Sequence, residues 1–205
     1  MENKRISEKE SLEIITDMLQ QSKQNMEVGQ GNQFLIYGYS ALVLSIVVFC
    51  VVHLTGNAIW SALWFLMFAP SIVLKLSSRH TQPSVVTYID RAIANTWSVT
   101  GSLFLLTIAV MTGLAFLIGS CNFALMLPLS LIYASIGTSI TGVILRFRPL
   151  ILLPFLAFAI ALYMLMALTA GQPSQHSWHL LFGAAFLFMM ILPGHILNSK
   201  SARAC

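Results

Sequence analysis

The sequence predicts an all-α fold: a polytopic bundle of six transmembrane helices arranged as three helical hairpins, preceded by a short amphipathic helix. Three observations lead there. Charged residues fill only 9% of the 205 positions, against about a quarter in soluble domains, too few to cover a folded chain of this size in water. Hydrophobic residues make up 57% of the chain and mean hydropathy is +0.81, and the apolar residues fall in long unbroken blocks, not at the period of an amphipathic surface helix or strand. All 11 Lys and Arg residues, and all seven acidic ones, lie in every second one of the segments that separate six such blocks.

Residues 1–32 come first. They are polar and acidic and lack an apolar centre followed by a small-residue cleavage site, so they do not read as a signal peptide; the first span is expected to act as its own insertion signal. Ser7-Glu8-Lys9-Glu10 fits a capping box, in which the Ser7 hydroxyl and the Glu10 carboxylate each accept from the other residue's amide. Leu12, Ile15, Leu19, Ser22 and Met26 then recur at spacings of three and four, an apolar seam that Ile14 and Met18 widen, with Glu10, Glu13, Asp17 and Glu27 off it. Gly29 and Gly31 are expected to end this helix and link it to the membrane domain.

The membrane domain, residues 33–197, has expected spans at 33–54, 58–74, 94–119, 123–145, 150–170 and 178–197. Each offers roughly the 17–25 residues that cross about 30 Å of hydrocarbon. Transmembrane β-strands are excluded, since they would alternate apolar and polar residues over about ten positions. By the positive-inside rule the basic side is cytoplasmic and carries both termini, with 198–205 as a short tail. Tyr37, Tyr39 and Trp97 near that side, and Trp60, Trp64 and Trp178 near the other, are expected to anchor at headgroup level. Between the second and third spans, Pro83-Ser84 followed by Val85, Tyr88, Ile89 and Ala92 predicts a short interfacial helix. The pI of 9.2 reflects residues that flank spans, not a basic patch of a folded domain, so nucleic acid is not an expected partner.

Candidate functional residues are few. The fourth span carries Ala134, Ser135, Gly137, Thr138, Ser139, Thr141 and Gly142, whose four-residue separations either let a neighbouring helix approach closely or line a pore. Ser98, Gly101 and Ser102 on the third span are the expected partners. Pro70, Pro154 and Pro193 interrupt spans, and Pro193-Gly194-His195 should loosen the last turn of the sixth helix, as a kink or as a source of free carbonyls. His53, His179 and His195 lie near span ends, where interfacial water is close. No Lys, Arg, Asp or Glu occupies the centre of a span, which counts against an ion-coupled transporter. Cys50 and Cys121 belong to the same face, as a disulfide or as two unpaired small apolar residues, and no spacing suits zinc. Met67-x-x-Pro70 with Leu74 and Met190-x-x-Pro193 with Leu197 give the first and last hairpins a weak internal similarity. No catalytic, cofactor-binding or metal-binding motif is evident.

Two resemblances bear on activity. Gly137-Thr138-Ser139 on the fourth helix with His195 on the sixth resembles rhomboid intramembrane proteases, which pair a serine and a histidine from those helices. Ile140 stands where their second glycine belongs and Ser139 lies toward the cytoplasmic end, so an intramembrane serine hydrolase is only a remote alternative. Over its length the chain resembles small bacterial multi-span inner-membrane proteins of no known activity, in which an acidic Glu-Ser-Leu helix, here Glu10-Ser11-Leu12, precedes a first span opening Phe-Leu-Ile-Tyr-Gly-Tyr, here Phe34 to Tyr39. That resemblance implies a bacterial inner-membrane location. The expected function is a non-enzymatic one, docking or regulating a cytosolic protein or a second copy through the seam Leu12, Ile15, Leu19 and Met26. A channel or transporter for a neutral or lipophilic solute is the alternative.

Overall fold

The computed structural model describes residues 8–77, 88–119 and 123–204, with side chains for 31–57, 59–73, 88–119 and 123–199. Among the described residues the chain is all-helical, and five helices are long and apolar enough to cross a membrane: Gly31–Thr55, Tyr88–Ile118, Phe123–Ile144, Arg148–Thr169 and Trp178–Ser199. A shorter apolar helix covers Ile59–Val73.

Helix α1 runs from Glu8 to Thr55 without interruption, so the linker expected at Gly29 and Gly31 is absent. The reason is packing. Gly31 faces the Asn198 side chain and the Gly194 carbonyl, and Gly38 faces Met190 and Ile191; these glycines mark close approach of another helix, not a helix end. The stop comes at Gly56, which takes φ 66° and returns its amide to the Val52 carbonyl at 2.9 Å, a left-handed cap that glycine adopts without a Cβ penalty. Ser7, the expected N-terminal cap, lies outside the described residues.

The second expected span is not a regular α-helix. Asn57 caps a 3₁₀ helix over Ala58–Phe68, its Oδ1 accepting from the Ile59 amide at 2.9 Å, and α2 follows over Ala69–Ser77. Seventeen residues of α-helix would reach only about 26 Å. Winding the first eleven as 3₁₀ at about 2.0 Å per residue extends the stretch to roughly 31 Å, close to the hydrocarbon thickness.

Helix α3, Tyr88–Ile118, opens at Tyr88, and the Pro83–Val85 portion of the expected interfacial helix lies outside the described residues. Helix α4 covers Met126–Ile144, α5 Arg148–Leu152 and α6 Pro154–Thr169. The last span is composite: α7 Trp178–Phe186, a π turn Leu187–Ile191, and α8 Leu192–Ala204. Pro193 lacks the amide that α register would aim at the Met189 carbonyl, and the preceding turn widens so that the Leu192 amide reaches the Leu187 carbonyl. The break therefore lies one turn before the expected Pro193-Gly194-His195 position, and α8 continues through it. In both Met-x-x-Pro sequences the proline sits second in an α segment that follows non-α helix, tightened at Pro70 and widened at Pro193.

Each expected hairpin has its two arms in contact, but the firmest packing is between arms of different hairpins, α1 with the last span and α4 with α6. Along α1 the residues Gly31, Phe34, Gly38, Ala41, Ser45, Val48 and Val52 are all buried, spaced alternately three and four as in a left-handed helix pair. They run antiparallel to the last span, Gly31 meeting Gly194 and Asn198 at one end and Ser45 meeting Gly183 further along. Lipid tails are as apolar as these side chains, so the pair is held by close van der Waals contact and not by hydrophobic burial. A common core joins Phe34 and Ala41 of α1 to Leu131 of α4, Leu150 of α5, Ala157 and Ala161 of α6, and Phe182, Phe186 and Met189 of the last span.

Candidate functional site

The small residues of α4 are packing positions. Ser135, Gly137, Thr138, Thr141 and Gly142 are buried, and Ala134 and Ser139 are half-buried. A Cβ on Gly142 would stand 2.6 Å from the Leu150 carbonyl carbon and 2.7 Å from the Ile151 nitrogen, so α4 and α5 touch backbone to backbone. The hydroxyls turn inward on the fold. Ser135 donates to the Leu131 carbonyl at 2.7 Å and Thr141 to the Gly137 carbonyl at 2.8 Å. Ser139 donates to the Ile151 carbonyl at 3.4 Å, beside the break that Pro154 makes between α5 and α6. Thr138 Oγ1 is buried with no partner among the described residues.

Helix α3 meets α4 through a face other than the expected one. Gly137 lies against Thr100 and Trp97, Thr107 and Tyr133 share a hydrogen bond of 2.8 Å, and Phe104 meets the Tyr133 ring edge-on. Ser98, Gly101 and Ser102 are exposed, on the far side of the helix, because they lie about 100–200° round it from Thr100.

At the charged end, α1 and α8 are tied by side chains of both. Tyr39 and His195 Nε2 hydrogen-bond at 2.8 Å and Asn198 Nδ2 donates to Asn32 Oδ1 at 2.8 Å, while Tyr37 ties α1 to Ser71 of α2 at 2.8 Å. His195 is thus engaged with Tyr39 and Ser139 with Ile151. Pro193 and Gly194 are buried, Gly194 against Leu35.

The opposite end carries an aromatic and imidazole cluster that sequence reasoning did not assemble. Trp64 Nε1 donates to His179 Nδ1 at 3.1 Å; indole can only donate, which fixes the His179 ring as an acceptor at Nδ1. Trp64 also contacts Phe182 edge-on at 4.6 Å between centroids, and Phe182 stacks on Phe186. Phe49 stacks on His53, whose ring meets His176 at 6.1 Å. Trp178 is buried in a satellite cluster with Met164 and Ala167. Of the four tryptophans only Trp60 is exposed; Trp64 and Trp97 pack against the common core and Trp178 lies in the satellite cluster. Cys50 is an exposed free thiol, and Cys121 lies outside the described residues. Among the described residues no group of three His, Cys, Asp or Glu could hold a metal ion.

Two shallow apolar depressions lie on the outside. One, of about 530 Å³, follows α6 past Leu162, Tyr163, Met166 and Ala170; the other, of about 410 Å³, follows the 3₁₀ helix past Trp60, Leu63 and Leu66. The α4 hydroxyls line neither. The side chains of the seam Leu12, Ile15, Leu19 and Met26 lie outside the described ones. Comparison with family models, curated proteins and solved structures finds no match to this chain.

Proposed function

We propose that the chain is a non-enzymatic protein of the bacterial inner membrane, crossing it six times with both termini cytoplasmic, that docks or regulates a protein partner through the N-terminal extension of α1. The observation that carries this reading is the continuity of α1 from Glu8 to Thr55. Residues 8–30 prolong the first span by roughly 35 Å of helix at 1.5 Å per residue, so whatever binds the extension acts on the bundle through a rod and not through a slack linker.

Register supports a separate partner for the extension. At 100° per residue, positions 12, 15, 19, 22 and 26 centre roughly 90° round the helix from the buried stripe that begins at Gly31. The two seams are therefore not one stripe, and the N-terminal one does not simply prolong the contact with α8. Its flanking residues are mainly acidic, which disfavours an anionic bilayer surface and favours a protein groove.

The test is the pair of substitutions Ile15→Asp and Leu19→Asp in the full chain. They should leave membrane insertion unchanged and remove a co-purifying partner or reduce particle mass to that of one copy. Unchanged particle mass and unchanged recovery would reject the reading.

A further inference from the structure

Helix α4 ends in a turn built for glycine but occupied by arginine. The Phe147 amide donates to the Gly142 carbonyl at 2.9 Å and the Arg146 amide to the Val143 carbonyl at 3.1 Å, the two bonds of a Schellman ending, with Arg146 at its left-handed position, φ 52°. At the ends of α1, α3 and α6 the positive-φ residue is Gly56, Gly119 and Gly171. A side chain there is disfavoured, and such an outlier points to work done by the side chain.

The surroundings say what that work is. Phe147 is buried to 6% exposure in the common core and pins the turn, while Arg146 and Arg148 on either side of it are exposed. They sit where the spans Phe123–Ile144 and Arg148–Thr169 both end, hence at headgroup level. Just inside them Val143, Leu152 and Phe155 are exposed and apolar, a surface for acyl chains. Helices α4 to α8 contain no Asp or Glu at all, and among the described residues α1 packs chiefly on the 3₁₀ helix and the last span. Guanidinium groups bind phosphate oxygens through paired, charge-assisted hydrogen bonds.

We propose that Arg146 and Arg148 clamp the phosphate of an anionic phospholipid at the α4–α5 turn. The experiment is a titration of the full chain in neutral detergent with phosphatidylglycerol, phosphatidylcholine or inorganic phosphate, reading lipid retention by native mass spectrometry and heat unfolding. Phosphatidylglycerol should bind and raise the unfolding temperature, with the other two much weaker. Arg146→Gly and Arg148→Gln should each weaken it roughly tenfold, in the range of a lost charge-assisted hydrogen bond. Arg146→Gly relieves the backbone, so without lipid it should unfold no earlier than the parent, and a lost response cannot then be put down to misfolding. Arg91→Gln is the control: Arg91 is exposed at the same end but by register opposite the Thr100 face that meets α4, and it should bind as the parent does. Equal binding of the two lipids, equal effectiveness of inorganic phosphate, or equal losses in Arg91→Gln and Arg146→Gly would overturn the clamp. A tenfold gain in lipid affinity on deleting residues 1–29 would also overturn it, by showing that the acidic extension occupies the site.

Discussion

Replacing Gly142 by alanine opposes two effects whose sizes the structure sets. Alanine is the better helix former by up to about 1 kcal/mol. Its Cβ, however, would lie 2.6 Å from the Leu150 carbonyl carbon, 2.7 Å from the Ile151 nitrogen and 2.8 Å from the Leu150 oxygen, all backbone atoms, where ordinary contact starts at 3.4 Å. The α4–α5 contact must therefore open by about 3.4 − 2.6 = 0.8 Å, and no side-chain rotation can absorb that. Overpacking of this kind costs about 1–3 kcal/mol, and the rigid neighbours put Gly142→Ala at the upper end, a net loss of about 2 kcal/mol. Gly101 supplies the internal control, since nothing lies within 4 Å of a Cβ there. Gly101→Ala should be neutral or stabilising by up to about 1 kcal/mol. Reversible unfolding of both variants in mixed micelles, titrated with a denaturing detergent, gives the two values. Equal shifts of the same sign, or a Gly142→Ala protein as stable as the parent, would refute the backbone-contact argument.

Other predictions follow from single contacts. A double-mutant cycle on Trp64→Phe and His179→Phe should give a coupling of about 1 kcal/mol for the 3.1 Å hydrogen bond, and a coupling near zero would show that it adds nothing. Ser139→Ala should cost less than about 0.5 kcal/mol, because its bond to Ile151 is 3.4 Å long and at the limit of useful geometry; a loss above about 2 kcal/mol would contradict that. Topology reporters fused after Gly56 and after Ser174 should lie in one compartment, opposite the C-terminus. A Gly56 fusion that shares the compartment of the C-terminus would mean that the 3₁₀ stretch does not cross.

The apolar blocks were legible because hydropathy depends on composition within a window, and the five long helices lie within a few residues of the expected spans except for the earlier start of α3. What failed was the reading of individual residues whose meaning depends on a neighbour far along the chain. Gly31 reads as a helix stop locally, yet its role is set by Gly194 and Asn198. The stripe from Gly31 to Val52 was present in the sequence at alternating spacings of three and four, and attention to small residues in the first span would have found it. The Trp64–His179 bond joins residues 115 apart and leaves no local signal. The 3₁₀ winding of Ala58–Phe68 is likewise invisible to periodicity, although the shortness of that span hinted at a stretched helix. The small residues of α4 stand out in the sequence as a group, but which of them meets α3 and which meets α5 follows from the crossing of the helices. Arg146 gave no warning, because only backbone geometry reveals it in a glycine position.

The continuity of α1 underlies the proposed coupling between the N-terminal extension and the bundle, and one distance tests it. Spin labels at Asn25→Cys and Val43→Cys, in a chain with its three native cysteines replaced by serine, are separated by eighteen residues of helix. For an unbroken rod the distance distribution should be narrow and centred near roughly 27 Å plus the label arms. A broad distribution, or one reaching well below that, would place a hinge at Gly29–Gly31 and contradict the account.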